Sequence, residues 1–129
     1  MVLVDTSAWI EVFRKKSPLE LERFVEFDEV VTCLPVIGEV LQGFREDRAF
    51  RIAREALTSL PIVESPLRLE VFEEAAQIYR SARRVGLTVR SGVDCLVAAC
   101  AVRNGLTVLH RDRDFDLLKR VSALEARSI

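Results

Sequence analysis

Short apolar runs alternate along this chain with longer stretches in which apolar residues recur every three or four positions. Met1-Val2-Leu3-Val4 is an unbroken apolar run and reads as a short strand. Thr6–Phe13 and Pro18–Phe27 read as helices, the second with Leu21, Phe24 and Val25 at helical spacing. Val30–Leu34 is short and β-branched, hence a strand, and Pro35 opens a helix to about Phe44. A helix over Asp47–Leu60, with Ile52, Ala53, Ala56 and Leu57 on one face, leads to a brief strand at Pro61-Ile62-Val63. Leu67–Val85 is the longest helical pattern. Its apolar stripe is Leu69, Phe72, Ala76 and Tyr79, and Gly86 ends it. Ser91–Asn104 is apolar almost all round, which predicts a buried central helix ended by Gly105. A strand at Thr107–His110, a short helix at Asp114–Arg120 and an edge strand near Ala123–Ala126 complete the pattern. Strands alternating with helices predict an α/β fold with a mainly parallel sheet of four to five strands. No repeat or linker divides the chain, so residues 1–129 are expected to form a single domain.

Four carboxylates interrupt this apolar pattern. Asp5 closes the first strand, and Glu39 lies within Pro35-Val36-Ile37-Gly38-Glu39-Val40-Leu41. Asp94 is the only charge between Val93 and Val102, and Asp112 follows the strand ending at His110, with Asp114 two residues on. Each has a purely structural explanation. Asp5 can cap a helix. Ser91-Gly92-Val93-Asp94 matches a capping box. Asp112 and Asp114 suit a turn that leads into a helix. Glu39 borders the apolar arc of its helix, where it could pair with an arginine or bind a metal. The topology makes the set more telling than its members. Ligands of open α/β sheets bind beyond the carboxyl ends of the strands. Asp5, Glu39 and Asp112 all follow strand ends, and Asp94 needs only that its helical turn face the same rim. Two carboxylates about 4 Å apart repel by roughly 4 kcal/mol at an effective dielectric near 20. A converging set therefore calls for a cation, and an all-oxygen ligand set favours Mg²⁺ or Mn²⁺ over softer metals.

Composition narrows the class. Half of the 129 residues are hydrophobic and 30% are charged, as in a soluble globular protein. Nineteen basic residues against twenty acidic ones leave a net charge of −1, without the basic excess of a dedicated nucleic-acid binder. Arg80, Arg83, Arg84, Arg90, Arg103, Arg111 and Arg113 nonetheless crowd one stretch, as solvated faces or as local phosphate contacts. Cys33, Cys95 and Cys100 sit in apolar segments and read as buried free thiols of a cytoplasmic protein. A single histidine and no CxxC pair argue against zinc. No signal peptide or membrane-spanning run is evident.

The segments Val4-Asp5-Thr6-Ser7-Ala8-Trp9, Gly38-Glu39-Val40-Leu41-Gln42-Gly43, Val93-Asp94-Cys95-Leu96-Val97-Ala98-Ala99 and Arg111-Asp112-Arg113-Asp114-Phe115 occur in that order. Together they make the chain resemble, over its whole length, the PIN-domain ribonucleases of the VapC toxin type. The resemblance implies a three-layer α/β/α fold around a parallel sheet, and Mg²⁺- or Mn²⁺-dependent cleavage of single-stranded or looped RNA. It makes Asp5, Glu39, Asp94 and Asp112 the acidic quartet, with Asp114 as a fifth acid. Asp5 and Asp94 would hold the metal, Asp112 or Asp114 would complete its shell, and Glu39 would serve the attacking water. Thr6 and Ser7 become candidates to position metal or phosphate, and Arg111 and Arg113 to meet the RNA. No role for His110 carries over. The resemblance further implies a VapB-like antitoxin partner and a homodimer, with Trp9 and Phe13, or Phe44 and Phe50, lining the antitoxin groove.

Two other functions compete with this one. A haloacid-dehalogenase-like phosphatase also places an aspartate after its first strand, but it needs a second two residues on, where this chain has Ser7. A non-catalytic PIN-like module for RNA or protein would be marked by loss of acids, and all four are present.

Overall fold

A computed structural model describes residues 1–129. Five parallel strands run in the order β3-β2-β1-β4-β5: β1 (Val2–Val4), β2 (Val30–Cys33), β3 (Ile62–Val63), β4 (Thr107–His110) and β5 (Glu125–Ser128). Val2 pairs in register with Val30 on one side and Thr107 on the other, so β1 is central. β1 and β2 are buried along their whole length, as expected of parallel strands covered on both faces.

The helices are α1 (Thr6–Val12), α2 (Leu34–Gln42), α3 (Asp47–Thr58), α4 (Leu69–Arg84), α5 (Gly92–Arg103) and α6 (Arg113–Lys119). The chain steps outward from β1 to β2 and β3, then returns across the sheet to β4 and β5. Right-handed crossovers on the outward and return legs put helices on opposite faces, giving the expected three layers. Accordingly α2 packs on α1 and α3, while α4, α5 and α6 pack on one another. The reversal makes the carboxyl ends of β1 and β4 the switch point of the sheet, where ligands of such folds bind. α2 also touches α5, which brings a second pair of elements to that rim.

Local chemistry explains most boundaries. Pro35 stands in the first turn of α2. Gly86 (φ +76°) and Gly105 (φ +63°) adopt left-handed conformations that let Leu87 and Leu106 donate N–H bonds back to Ala82 and Ala101. α5 is the predicted buried helix, with Asp94, Cys95 and Val97–Ala101 all buried. No helix is long and apolar enough to cross a membrane.

The structure departs from the sequence expectations in four places. Pro18–Phe27 is not an α-helix. It forms a single 3₁₀ turn at Leu21–Arg23, followed by another at Phe27–Glu29. Leu21 and Val25 anchor it in the core, but Glu22 and Glu26 would repel at helical spacing, and the Phe24 carbonyl accepts instead from Arg127 at 2.7 Å. On α3 only Ala53 and Leu57 are buried, while Ile52 and Ala56 face solvent. On α4 the core row is Val71, Ala75, Ile78 and Ala82. The predicted stripe is the outer row: Leu69 is 71% exposed, Phe72 47% and Tyr79 36%. Both rows satisfy a helical period, and the bulkier residues happen to lie in the exposed one. The last strand lies two residues later than expected, where the sequence carries no alternation to fix it.

Candidate active site

Asp5 leaves the end of β1 and caps α1, its Oδ2 accepting from the Ser7 N–H at 3.0 Å and the Ser7 hydroxyl at 2.6 Å. Its Oδ1 is buried with no hydrogen-bond partner. The neighbouring Thr6 hydroxyl donates to Glu39 Oε1 at 2.9 Å, tying α1 to α2. Asp112 leaves β4 and caps α6, its Oδ1 accepting from the Asp114 N–H at 3.0 Å. Asp94 lies in the first turn of α5. The capping box is half formed there: Ser91 Oγ accepts from the Val93 N–H, and the Asp94 carboxylate makes no hydrogen bond. Capping thus accounts for one oxygen each of Asp5 and Asp112, and for none of Asp94.

Oxygens of Asp94, Asp112 and Asp114 lie within 4.8 Å of one another. Asp5 and Glu39 stand outside that trio but close enough to act on it. Burial pushes the Asp94 carboxyl up to about 7, and the charges of Asp5, Asp112, Asp114 and Glu39 add to the rise. Burial also raises Asp5, against the opposing hydrogen bonds from Ser7. Glu39 is raised by burial, with Thr6 pulling the other way and Asp5 and Asp112 reinforcing it. The expected quartet and the fifth acid thus share one rim and one field.

This field has a counter-charge that the sequence reading missed. Arg90, in the loop before α5, places Nη2 3.1 Å from Asp112 Oδ1 and Nε 3.3 Å from Asp114 Oδ2. Its backbone N–H also points at Asp114 Oδ2, at 3.4 Å. Its signal in the sequence was membership of the arginine-rich stretch, which does not say that it faces the acids.

The other candidates have defined places. Ser7 Oγ also accepts from the Arg111 N–H at 2.9 Å, bridging the ends of β1 and β4. The Arg111 side chain reaches the Ile129 carbonyl at 3.1 Å and Glu11 at 3.6 Å. Arg111 and Arg113 line, with Ser7 and Asp112, an open cavity of about 510 Å³ beside the acids. His110 is fully buried, with its ring 5.2 Å from that of Phe115. Its Nδ1 accepts from the Asp112 N–H at 3.2 Å, so Nε2 carries the proton and faces Asp116 at 3.5 Å. Burial lowers its pKa, consistent with a neutral ring that sets the backbone of Asp112. Of the aromatic candidates, Trp9 is 4% exposed and belongs to the core. Phe13 and Phe44 are half-buried, edge to face at 5.7 Å, and Phe50 is exposed.

An all-carboxylate cluster with an orphaned buried oxygen at Asp5 and an unpaired carboxylate at Asp94 suits a hard divalent cation. Comparison with known proteins gives the lineage of this arrangement. The model of the PIN domain matches residues 2–121. Ribonuclease VapC11 of Mycobacterium tuberculosis is 40% identical over 133 aligned positions, covering 99% of this chain and 98% of the relative. The chain belongs to the PIN-domain family, among the VapC ribonucleases. VapC ribonuclease Mb1587 of Mycobacterium bovis matches to the same extent. Among solved structures, the DNA-bound VapBC of Salmonella typhimurium superposes with a TM-score of 0.78 at 18% identity, covering 98% of this chain and 96% of that one. The PIN-like α/β fold predicted from the sequence is the fold observed.

Proposed function

We propose that this VapC-family ribonuclease hydrolyses RNA through one acidic centre, with Asp5 and Asp94 as the principal holders of a Mg²⁺ or Mn²⁺ ion. The observation that carries this reading is the pairing of an unsatisfied buried oxygen on Asp5 with an Asp94 carboxyl that burial and four neighbouring acids hold near 7. Asp112 and Asp114 complete the negative field. A divalent ion at such a site supplies a nucleophile at neutral pH and offsets charge on the phosphoryl oxygens. Glu39, fixed by Thr6 and raised by burial, orients the attacking water and takes its proton. Attack in line with a leaving 3′-oxygen leaves 5′-phosphate and 3′-hydroxyl ends. Arg111 and Arg113, on the cavity beside the acids, are placed to meet RNA phosphates. A single-stranded or looped substrate suits so open a rim.

As the toxin of a toxin–antitoxin pair, the protein would work in the cytoplasm, in keeping with three free buried cysteines. Two exposed apolar surfaces support the expected partners. The outer row of α4 faces a groove with Val93 and Leu96 of α5, which suits a homodimer. Phe13, Phe44 and Ile52 line a second groove, which suits a VapB-like antitoxin helix. One domain, residues 1–129, holds all of these features.

The test uses purified, antitoxin-free protein with a structured single-stranded RNA. Mg²⁺ or Mn²⁺ should support cleavage, EDTA should abolish it, and Asp94→Asn should lose activity while remaining folded. Intact RNA at saturating metal, or full activity in Asp94→Asn, would refute the reading.

A further inference from the structure

Five acids meet at the rim, yet they are not equally in need of a cation. Asp112 Oδ1 and Asp114 Oδ2 already face the guanidinium of Arg90. Asp5 Oδ1 and the Asp94 carboxylate face nothing positive. The fixed positive charge is therefore one-sided, and Asp94, within 4.8 Å of both arginine-held acids, borders the two halves. One half carries its own fixed positive charge, and the other half lacks one.

Resting on the metal-dependent reading above, we propose that Arg90 is the built-in second cation of this centre. Its guanidinium holds Asp112 and Asp114, confines the site to one divalent ion on the Asp5 and Asp94 side, and presents its outer edge to the substrate phosphate. Three observations carry this. Arg90 engages two carboxylates with two different nitrogens, a spread that suits the planar guanidinium fork. Its backbone N–H reinforces the bond to Asp114, so the contact is anchored by the loop rather than by a wandering side chain. The side chain is 64% exposed although it pairs with an Asp114 that is only 2% exposed. The guanidinium thus roofs the acid and turns its remaining edge outward, where Nη1 has no partner in the protein.

A second divalent ion near Asp112 and Asp114 would have to displace this contact. Arg90 is thus a positioning and specificity residue, and its removal should alter the metal count before it alters anything else. Arg90→Gln keeps the backbone N–H but removes the charge.

The experiment is a Mn²⁺ titration of the full-length protein, followed by electron paramagnetic resonance and calorimetry. Wild type should bind one ion and Arg90→Gln two. Two ions in wild type, or one in both proteins, would overturn the proposal and leave the metal-dependent reading standing. No ion in either protein would overturn that reading, and this one with it. A second measurement needs no variant. The Arg90 Nε–H resonance should keep its bonded chemical shift through a full equivalent of Mg²⁺. Its release at the first equivalent would show that metal and arginine compete for the same acids, and would overturn the proposal even if Arg90→Gln failed to fold.

Discussion

At the scale of single residues, Asp94 sets the energetics of the site. Its folded-state pKa of about 7 stands well above the ordinary value of 3.8. Between those values the folded protein binds the proton and the unfolded chain does not. Stability therefore falls as pH rises through that window, and the deficit is complete above pH 7. The difference corresponds to on the order of 4 kcal/mol in metal-free protein. Asp94→Asn should recover a few kcal/mol at pH 8 and almost nothing near pH 4, measured by chemical denaturation in EDTA. A gain independent of pH, or none at pH 8, would contradict the assigned cause. The acid itself was legible in the sequence, because a lone charge in an otherwise apolar helix stands out. What surrounds it was not. Arg90 and the Thr6–Glu39 bond depend on side chains that meet across gaps of 24 and 33 residues, and no local pattern encodes such a meeting.

Among the elements, α4 shows where periodicity stops being informative. Its inner row, Val71, Ala75, Ile78 and Ala82, is buried, and its outer row contains Phe72 and Tyr79. A helix with one apolar row announces which face is core, but a helix with two does not. The strands β1, β2 and β4 and the almost all-apolar α5 match their sequence patterns because they are buried nearly throughout, so no face had to be chosen. The segment from Pro18 to Phe27 was misread for the opposite reason. Two apolar anchors met the helical spacing, while like charges and a carbonyl claimed by Arg127 ruled the helix out. The two rows of α4 should separate experimentally. Ile78→Ala should cost about 2–4 kcal/mol of stability by the lost burial and the cavity left behind. Tyr79→Ala should change monomer stability by less than about 1 kcal/mol, but should weaken the proposed homodimer, read by sedimentation. Equal destabilisation by both would mean that the outer row is packed within the monomer.

For the molecule as a whole, the acidic centre matters because of where its acids come from. Asp5 follows the central strand, Asp112 follows its neighbour, Glu39 rides on α2 and Asp94 opens α5. These segments lie on both legs of the doubly wound chain and on both sides of the switch point. An ion held there would join elements whose separation is the unfolding of the sheet itself, so its binding energy should appear as global rather than local stability. At a free-ion concentration a hundredfold above Kd, mass action adds about 2.7 kcal/mol. For a domain of 129 residues this raises Tm by roughly 10 °C. Binding also requires Asp94 to be ionised. Below its pKa of about 7 the apparent affinity should fall, approaching a tenfold loss per pH unit. Thermal melts with a fixed, sub-millimolar Mn²⁺ concentration should therefore show a large Tm increase at pH 8 and a much smaller one at pH 6. Asp94→Asn should abolish most of the increase at both values. An equal increase at pH 6 and pH 8 in wild type would mean that the ion binds without Asp94. The centre would then lie on the Asp112 and Asp114 side, in the place assigned here to Arg90.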